Sequence, residues 1–372
     1  MINRNVLKKS AAVLLGINML SLMLTGCSSF NPADQVESLG GKVIQTSTIF
    51  AMDTVMELQI YGDAALLNEA QQKITDLENT ISVTNSESDI GKLNAAGVTE
   101  VIDGENYKSA EISAVTAQIM ERALKMCERT DGALDVSIYP VVKTWGFTTG
   151  EYKVPTDREL SELLKEVDYT KVVLAEDGGK NTICKIPENM QVDLGSVAKG
   201  YTSQMLTDYF TENGITSGLI NLGGNVQCIG SKPNNDKWKV AIKSPFSDSK
   251  SGILGVLEAS DVAIITSGGY ERFFEEDGKT YWHIIDPDDG RPTDNGIVSV
   301  TIVGKDGFLC DALSTALFVK GLEKAISFWQ QSDDFDAVFV TKDGTVYVTQ
   351  GIADSFTLSS EYYNAEKIVL TK

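Results

Sequence analysis

The chain has 372 residues, with 52 acidic against 32 basic side chains, one histidine and five cysteines, for a formal charge of −20 at neutral pH. That surplus repels phosphate backbones and argues against a nucleic-acid partner. Widely spaced cysteines with no CxxC pair argue against a disulfide framework or a zinc site.

The first segment, "MINRNVLKKS", carries Arg4, Lys8 and Lys9 and no acid, and "AAVLLGINMLSLML" follows it. A basic start and a short apolar run read as a secretory signal, too short to span a membrane comfortably. Leu24-Thr25-Gly26-Cys27 fits a bacterial lipobox. Residues 1–26 are then a lipoprotein signal peptide, and Cys27 is the acylated N-terminus that holds the protein to the cell membrane on its extracytoplasmic side. An ordinary signal peptide with a chance cysteine is the alternative. Loss of residues 1–26 takes the charge from −20 to −23. Residues 27–45 read as a polar tether. Residues 46–372 contain no repeat and no low-complexity linker, which predicts one unit, at a length that also allows two subdomains.

"STIFAMDTVMELQIYG" reads as a strand ending at Gly62. A helix capped at Asp63 follows, with Leu67, Ala70, Ile74, Leu77 and Ile81 on one face. "VTNSESDIGKLN" reads as a polar loop. Ile112, Val115, Ile119 and Met126 mark a second helix that stops at "RTDG", with Cys127 as packing. "TDGALDVSIYPVVKTWGF" turns at Gly132 and ends in Trp145 and Phe147, as core or as a platform for a ring.

"VDLGSVAKGYT" is a strand end, Gly195-Ser196, and a helix start. Free N–H groups there suit a phosphate, and Lys199 one turn in adds positive charge. The glycines are misspaced for a Walker motif, and Asp193 as a plain cap is the alternative. The helix is expected to turn Val197, Tyr201, Met205 and Tyr209 inward. "GLINLGGNVQCIGS" and "WKVAIKSP" are short strands, and Gly223-Gly224 permits a sharp turn or a close approach to a ligand.

"TSGGYERFFEEDGKTYWHIIDP" places Gly268-Gly269 before an aromatic hairpin that turns at Asp277-Gly278, with His283 on the return strand. A neutral imidazole suits proton abstraction from a hydroxyl nucleophile. A satisfied core histidine is the alternative. "CDALSTALFVKG" is a helix with Asp311 and Thr315 four apart on one face. A carboxylate and a hydroxyl are hard ligands suited to Mg2+ completed by carbonyls, water and a substrate phosphate. A helix-dipole acid beside a packed threonine is the alternative. "DAVFVTKDGTVYVT" is a hairpin turning at Asp343-Gly344. Strands and helices mix without regular alternation, which predicts an α+β fold.

Six collinear blocks, "FAMDTVMEL", "TDGALDVSIYPVVKTWGF", "DLGSVAKGYT", "INLGGNV", "TSGGYERFFEEDGKTYWHIIDPDDGRP" and "DALSTALFVKG", together resemble the ApbE family of FAD:protein FMN transferases. The resemblance implies a mixed α/β catalytic unit and a reaction in which a threonine or serine hydroxyl of an acceptor protein attacks the FMN phosphorus of FAD and AMP departs. It implies Mg2+ held by Asp311, Thr315 and the backbone carbonyl of Ser196. It implies FAD contacts at Met52, Ala133, Leu134, Asp135, Asp193, Lys199 and Ile285, and a catalytic role for His283. Acceptors in this family carry a Ser/Asp-Gly-x-Thr-like segment in electron-transfer proteins, and many members are lipoproteins, in keeping with Cys27. The chain departs from the family pattern at Asp53, where glycine is common, at Thr84, where an aromatic is common, and at Gly269, where aspartate is frequent. An FAD pyrophosphatase giving FMN and AMP, or a flavin-binding lipoprotein without chemistry, are the competing readings.

Overall fold

Strand Thr54–Tyr61 buries Met56, Leu58 and Ile60 on one face, the two-residue period of a strand with one side in a core. The computed structural model describes residues 38–39, 42–177, 181–362 and 365–372. The signal segment, Cys27 and most of the expected tether lie outside the described residues. Ser38–Lys372 forms one compact unit. Strand Lys42–Ala51 is already part of the sheet, so regular structure begins upstream of the boundary expected at 46.

The segment expected to be one strand up to Gly62 is a hairpin. Lys42–Ala51 pairs antiparallel with Thr54–Tyr61, closing at Ala51 and Thr54. The two turn residues, Met52 and Asp53, have φ of 48° and 58°. A turn of that hand usually carries Asn-Gly or Asp-Gly, so "MD" gives no local signal for it. Tertiary contact supports it instead: the Met52 N–H donates to Glu78 Oε1 at 2.7 Å.

The helices are α1 (Ala65–Ile81), α2 (Asp89–Ala95), α3 (Ala114–Arg129), α4 (Tyr139–Thr144), α5 (Asp157–Leu163), α6 (Gly195–Glu212), α7 (Gly307–Lys320) and α8 (Leu322–Gln330). In α1 the five buried residues are Leu67, Ala70, Ile74, Leu77 and Ile81, as the spacing predicts. α2 occupies the second half of the expected polar loop. Ser88 caps it by accepting from the Gly91 N–H, and Ile90 and Leu93 are buried. Seven residues with two apolar buried positions are too few for the periodicity to show in sequence. α6 faces inward with Val197, Gly200, Ser203, Leu206 and Phe210, while Tyr201, Met205 and Tyr209 are only half-buried. Its inner face is partly small and hydroxylic because it lies close against α7.

The described residues hold a ten-stranded sheet, in the order Ser38–Leu39, Lys42–Ala51, Thr54–Tyr61, Gly218–Leu222, Asn225–Ile229, Ala263–Gly268, Ile297–Gly304, Phe335–Thr341, Val346–Thr349, Lys367–Leu370. Alternation along its central strands fills two cores. Ile265, Ile302, Ala337 and Phe339 pack with α3, α7 and α8. Ile264, Val303, Val338 and Val340 face Trp238, Val240, Ile242 and Leu257 of a three-stranded sheet on the opposite side. The interspersed strands and helices give the mixed α+β architecture expected from the sequence.

Candidate active site

The close approach of α6 and α7 builds the centre of the site. A Cβ on Gly200 would lie 2.4 Å from both Asp311 Cβ and the Gly307 carbonyl oxygen, so only glycine lets the two helices meet. Asp311 uses that proximity. Its Oδ2 accepts from the Gly200 N–H at 2.7 Å and its Oδ1 from Asn225 Nδ2 at 3.0 Å. Asp311 is 6 % exposed, and burial pushes its carboxyl up, against the opposing pull of the Lys199 charge and these two bonds. Thr315 is the one residue between Asp311 and Val319 that is not fully buried, and its Oγ1 lies 3.3 Å from Ser267 Oγ.

The hairpin that carries the imidazole is set by its turn. Asp277 and Gly278 both have positive φ, and the register runs from Glu276 opposite Lys279 to Phe273 opposite Trp282. One step further, His283 N–H donates to the Arg272 carbonyl at 3.1 Å, so the histidine follows the return strand rather than lying within it. The Nδ1 of His283 is 3.2 Å from the same carbonyl. A carbonyl can only accept, so Nδ1 carries the proton and Nε2 keeps its lone pair. Burial chiefly, and then the Arg272 charge, lower the imidazole to about 4; the bond to the Arg272 carbonyl opposes this and Lys199 adds to it. This lies well below the 6.5 of a free imidazole. Phe147 meets the ring edge-on with centroids 6.3 Å apart.

Lys199 acts on both His283 and Asp311, and no carboxylate lies within ion-pairing distance of it among the described residues. Asp193 folds back on the start of α6, its Oδ1 accepting from the Gly195 N–H at 2.9 Å, so it is a cap as well as a site residue. Burial pushes its carboxyl up, and the Arg272 charge is among the effects that oppose this. The Asp193 N–H donates to the Val136 carbonyl at 2.8 Å, which joins the 133–137 segment to this turn. Within that segment Leu134 is core, and Asp135 accepts from the Ser137 N–H and hydroxyl at 2.7 and 2.6 Å. Asp135 therefore shapes the loop. Ile285 is buried with Val141, Trp145, Phe147 and Leu160, so its side chain is committed to packing. Met52 sits at the strained hairpin tip, with Thr202 Oγ1 3.7 Å from its sulfur.

Three residues of the site escape a sequence reading. Asn225, which grips Asp311, follows the Gly223-Gly224 turn, and its burial was the missing signal. Arg272 reaches Asp53 at 3.9 Å and acts on both His283 and Asp193. Trp282 explains the glycine at 269: a Cβ there would lie 2.7 Å from the indole ring. Among the described residues no group of three or more His, Cys, Asp or Glu could hold a metal. A cation at Asp311 would need hydroxyl, carbonyl, water or ligand oxygens to complete its shell, a hard-oxygen set.

A family model described as the ApbE family matches residues 52–339. The chain belongs to the ApbE family. The FAD:protein FMN transferase of Klebsiella pneumoniae is 32% identical over 302 residues, covering 80% of this chain and 89% of that protein. The enzyme of the same name from Vibrio cholerae is 31% identical over 313 residues, covering 82% and 87%. The crystal structure of the ApbE protein from Thermotoga maritima superposes with a TM-score of 0.75 at 26% identity, over 84% of this chain and 99% of that one. As an ApbE member, the chain carries its Asp311, Lys199 and His283 inside the matched span.

Proposed function

We propose that this protein transfers FMN from FAD to a threonine or serine hydroxyl of an acceptor protein. The attacking oxygen forms a new bond to the FMN phosphorus, the phosphorus–oxygen bond to the AMP phosphate breaks, and AMP leaves. The observation that carries this reading is a histidine whose Nδ1 is held by the Arg272 carbonyl, leaving Nε2 free, in the same chain as a buried carboxylate, Asp311, gripped by the Gly200 N–H and Asn225. His283 Nε2 takes the hydroxyl proton as the phosphoester forms. Lys199 and Arg272 offer positive charge to the pyrophosphate, and the backbone tie between Asp193 and Val136 sets the two loops that would hold the dinucleotide.

Asp311 fits a divalent cation. It is buried, has no cationic side chain within ion-pairing distance among the described residues, and its burial favours a neutral carboxyl unless a positive charge compensates. Mg2+ held by Asp311, Thr315 and the Ser196 carbonyl would neutralise charge on the phosphate oxygens of the bound dinucleotide. The lipobox at Leu24-Thr25-Gly26-Cys27 extends the reading to an extracytoplasmic enzyme anchored by acylated Cys27. Its acceptor is then an electron-transfer protein with a Ser/Asp-Gly-x-Thr-like segment.

Incubation with FAD, Mg2+ and candidate secreted acceptors tests this. Flavin fluorescence that stays on the acceptor after denaturation supports transfer. Free FMN and AMP alone would make the protein a pyrophosphatase, and intact FAD would make it a binder.

A further inference from the structure

The hairpin tip beside the site carries a feature that the transfer reaction does not require. Asp53 stands at φ 58°, next to Met52 at φ 48°, in a turn that glycine would adopt without strain. Aspartate tolerates this region, and Asp103, Asp131, Asp261 and Asp277 occupy it too. The Asp53 side chain is 85% exposed; among the described residues it accepts no backbone hydrogen bond, and its Oδ2 lies 3.9 Å from Arg272 Nη2, itself 48% exposed. Arg272 is one of two cations whose charge reaches His283, the other being Lys199, and it also acts on Asp193. Arg272 stands at the site through its carbonyl, which accepts from the His283 N–H at 3.1 Å, and its guanidinium already has a loose anionic neighbour.

We infer that Asp53 is a specificity-tuning residue: its carboxylate competes with phosphate-bearing ligands for Arg272 and weakens their ground-state binding. The inference rests on the proposed reading of the site as one that holds the phosphates of a dinucleotide. An exposed pair at this separation is weak, so Arg272 exchanges partners at little cost. The carboxylate weighs most against the smaller and more highly charged ligand. AMP, whose terminal phosphate is a dianion, loses more than FAD, whose flavin and adenine rings add apolar contact. The residue thus favours release of the nucleotide product over release of the substrate.

Calorimetric titration of the full protein with AMP and with FAD tests this at low and high salt. Asp53→Asn removes the charge yet keeps a side chain that tolerates positive φ, which separates electrostatics from turn strain. It is expected to tighten AMP about 1.5- to 5-fold, the span of an exposed ion pair, and FAD less, with the gain shrinking as salt rises. In an Arg272→Gln background the same substitution is expected to change nothing. The inference is overturned if Asp53→Asn leaves AMP binding unchanged, if it tightens AMP equally without Arg272, or if only Asp53→Gly has an effect. It is also overturned if the wild type binds no AMP. Failure to transfer FMN, with AMP bound more tightly by Asp53→Asn, would instead remove the proposed reaction and leave this inference standing.

Discussion

His283 and Arg272 are joined twice, because the main-chain N–H and Nδ1 of the histidine both reach the Arg272 carbonyl, at 3.1 and 3.2 Å. The pair fixes the tautomer, and the Arg272 side chain helps to keep the ring neutral. The position of the imidazole is therefore decided by a hairpin register, and its basicity by burial.

His283→Ala should lower the FMN transfer rate by roughly 10²–10⁴, the usual range for a lost general base, and leave FAD affinity within about a few-fold. The neutral ring is the active form and its folded-state value is depressed to about 4, so the wild-type rate should stay level through neutrality and fall only as pH drops toward that value. A rate profile of both proteins from about pH 4 to 8 checks this, with fold integrity followed by circular dichroism. A wild-type limb centred near the free-imidazole value, about 6.5, would mean that the ring is solvated in the working complex.

Asp311→Asn should abolish the response to Mg2+ in both activity and melting temperature. The folded-state value of Asp311 is raised, so its contribution to stability is present below the unfolded value and is lost as pH rises through the folded one. At neutral pH without metal the carboxylate is thus a burden, and Asp311→Asn should melt at or above the wild type. Added Mg2+ should raise the wild-type melting temperature alone. A variant that still gains stability from Mg2+ would place the cation elsewhere.

Gly269→Asp brings in the residue frequent in the family and should nevertheless destabilise this chain. The indole of Trp282 occupies the space of the new Cβ, at 2.7 Å. Overpacking of this kind costs about 1–3 kcal/mol, measurable as a lower denaturant midpoint. In a chain that already carries Trp282→Ser, the same Gly269→Asp substitution should cost less, the non-additivity of two residues in contact.

Cys27→Ser should release the protein from the membrane fraction without changing the specific activity of the purified domain, since the first strand of the sheet long enough to pair along its length begins at Lys42. Metabolic labelling with a fatty acid and cell fractionation check this. Persistent acylation at another residue would overturn the anchor.

Local chemistry carried much of the architecture. The period of α1 and the Asp277-Gly278 and Asp343-Gly344 turns appear where the residues place them, because each depends on neighbours within a few positions. The elements misread were those whose cause lies elsewhere in the chain. The Met52-Asp53 turn rests on Glu78, α2 is a short capped helix of seven residues, and the inner face of α6 is small because α7 presses on it.

The same division runs through the site. By itself the sequence determined which residue types were present and in what order: one imidazole, an acid and a hydroxyl four apart on a helix, a lysine one turn into another, and the six blocks that placed the chain in its family. Only the tertiary structure decided what each could do. Burial set the direction of the shifts at Asp311 and His283, and the carbonyl of Arg272 chose which imidazole nitrogen is free. Asp135 and Ile285 were committed to loop and core, and Arg272 and Asn225 were brought in. The reason is physical: charge state and hydrogen-bond role depend on desolvation and on partners far apart in the chain, and neither is a property of local sequence.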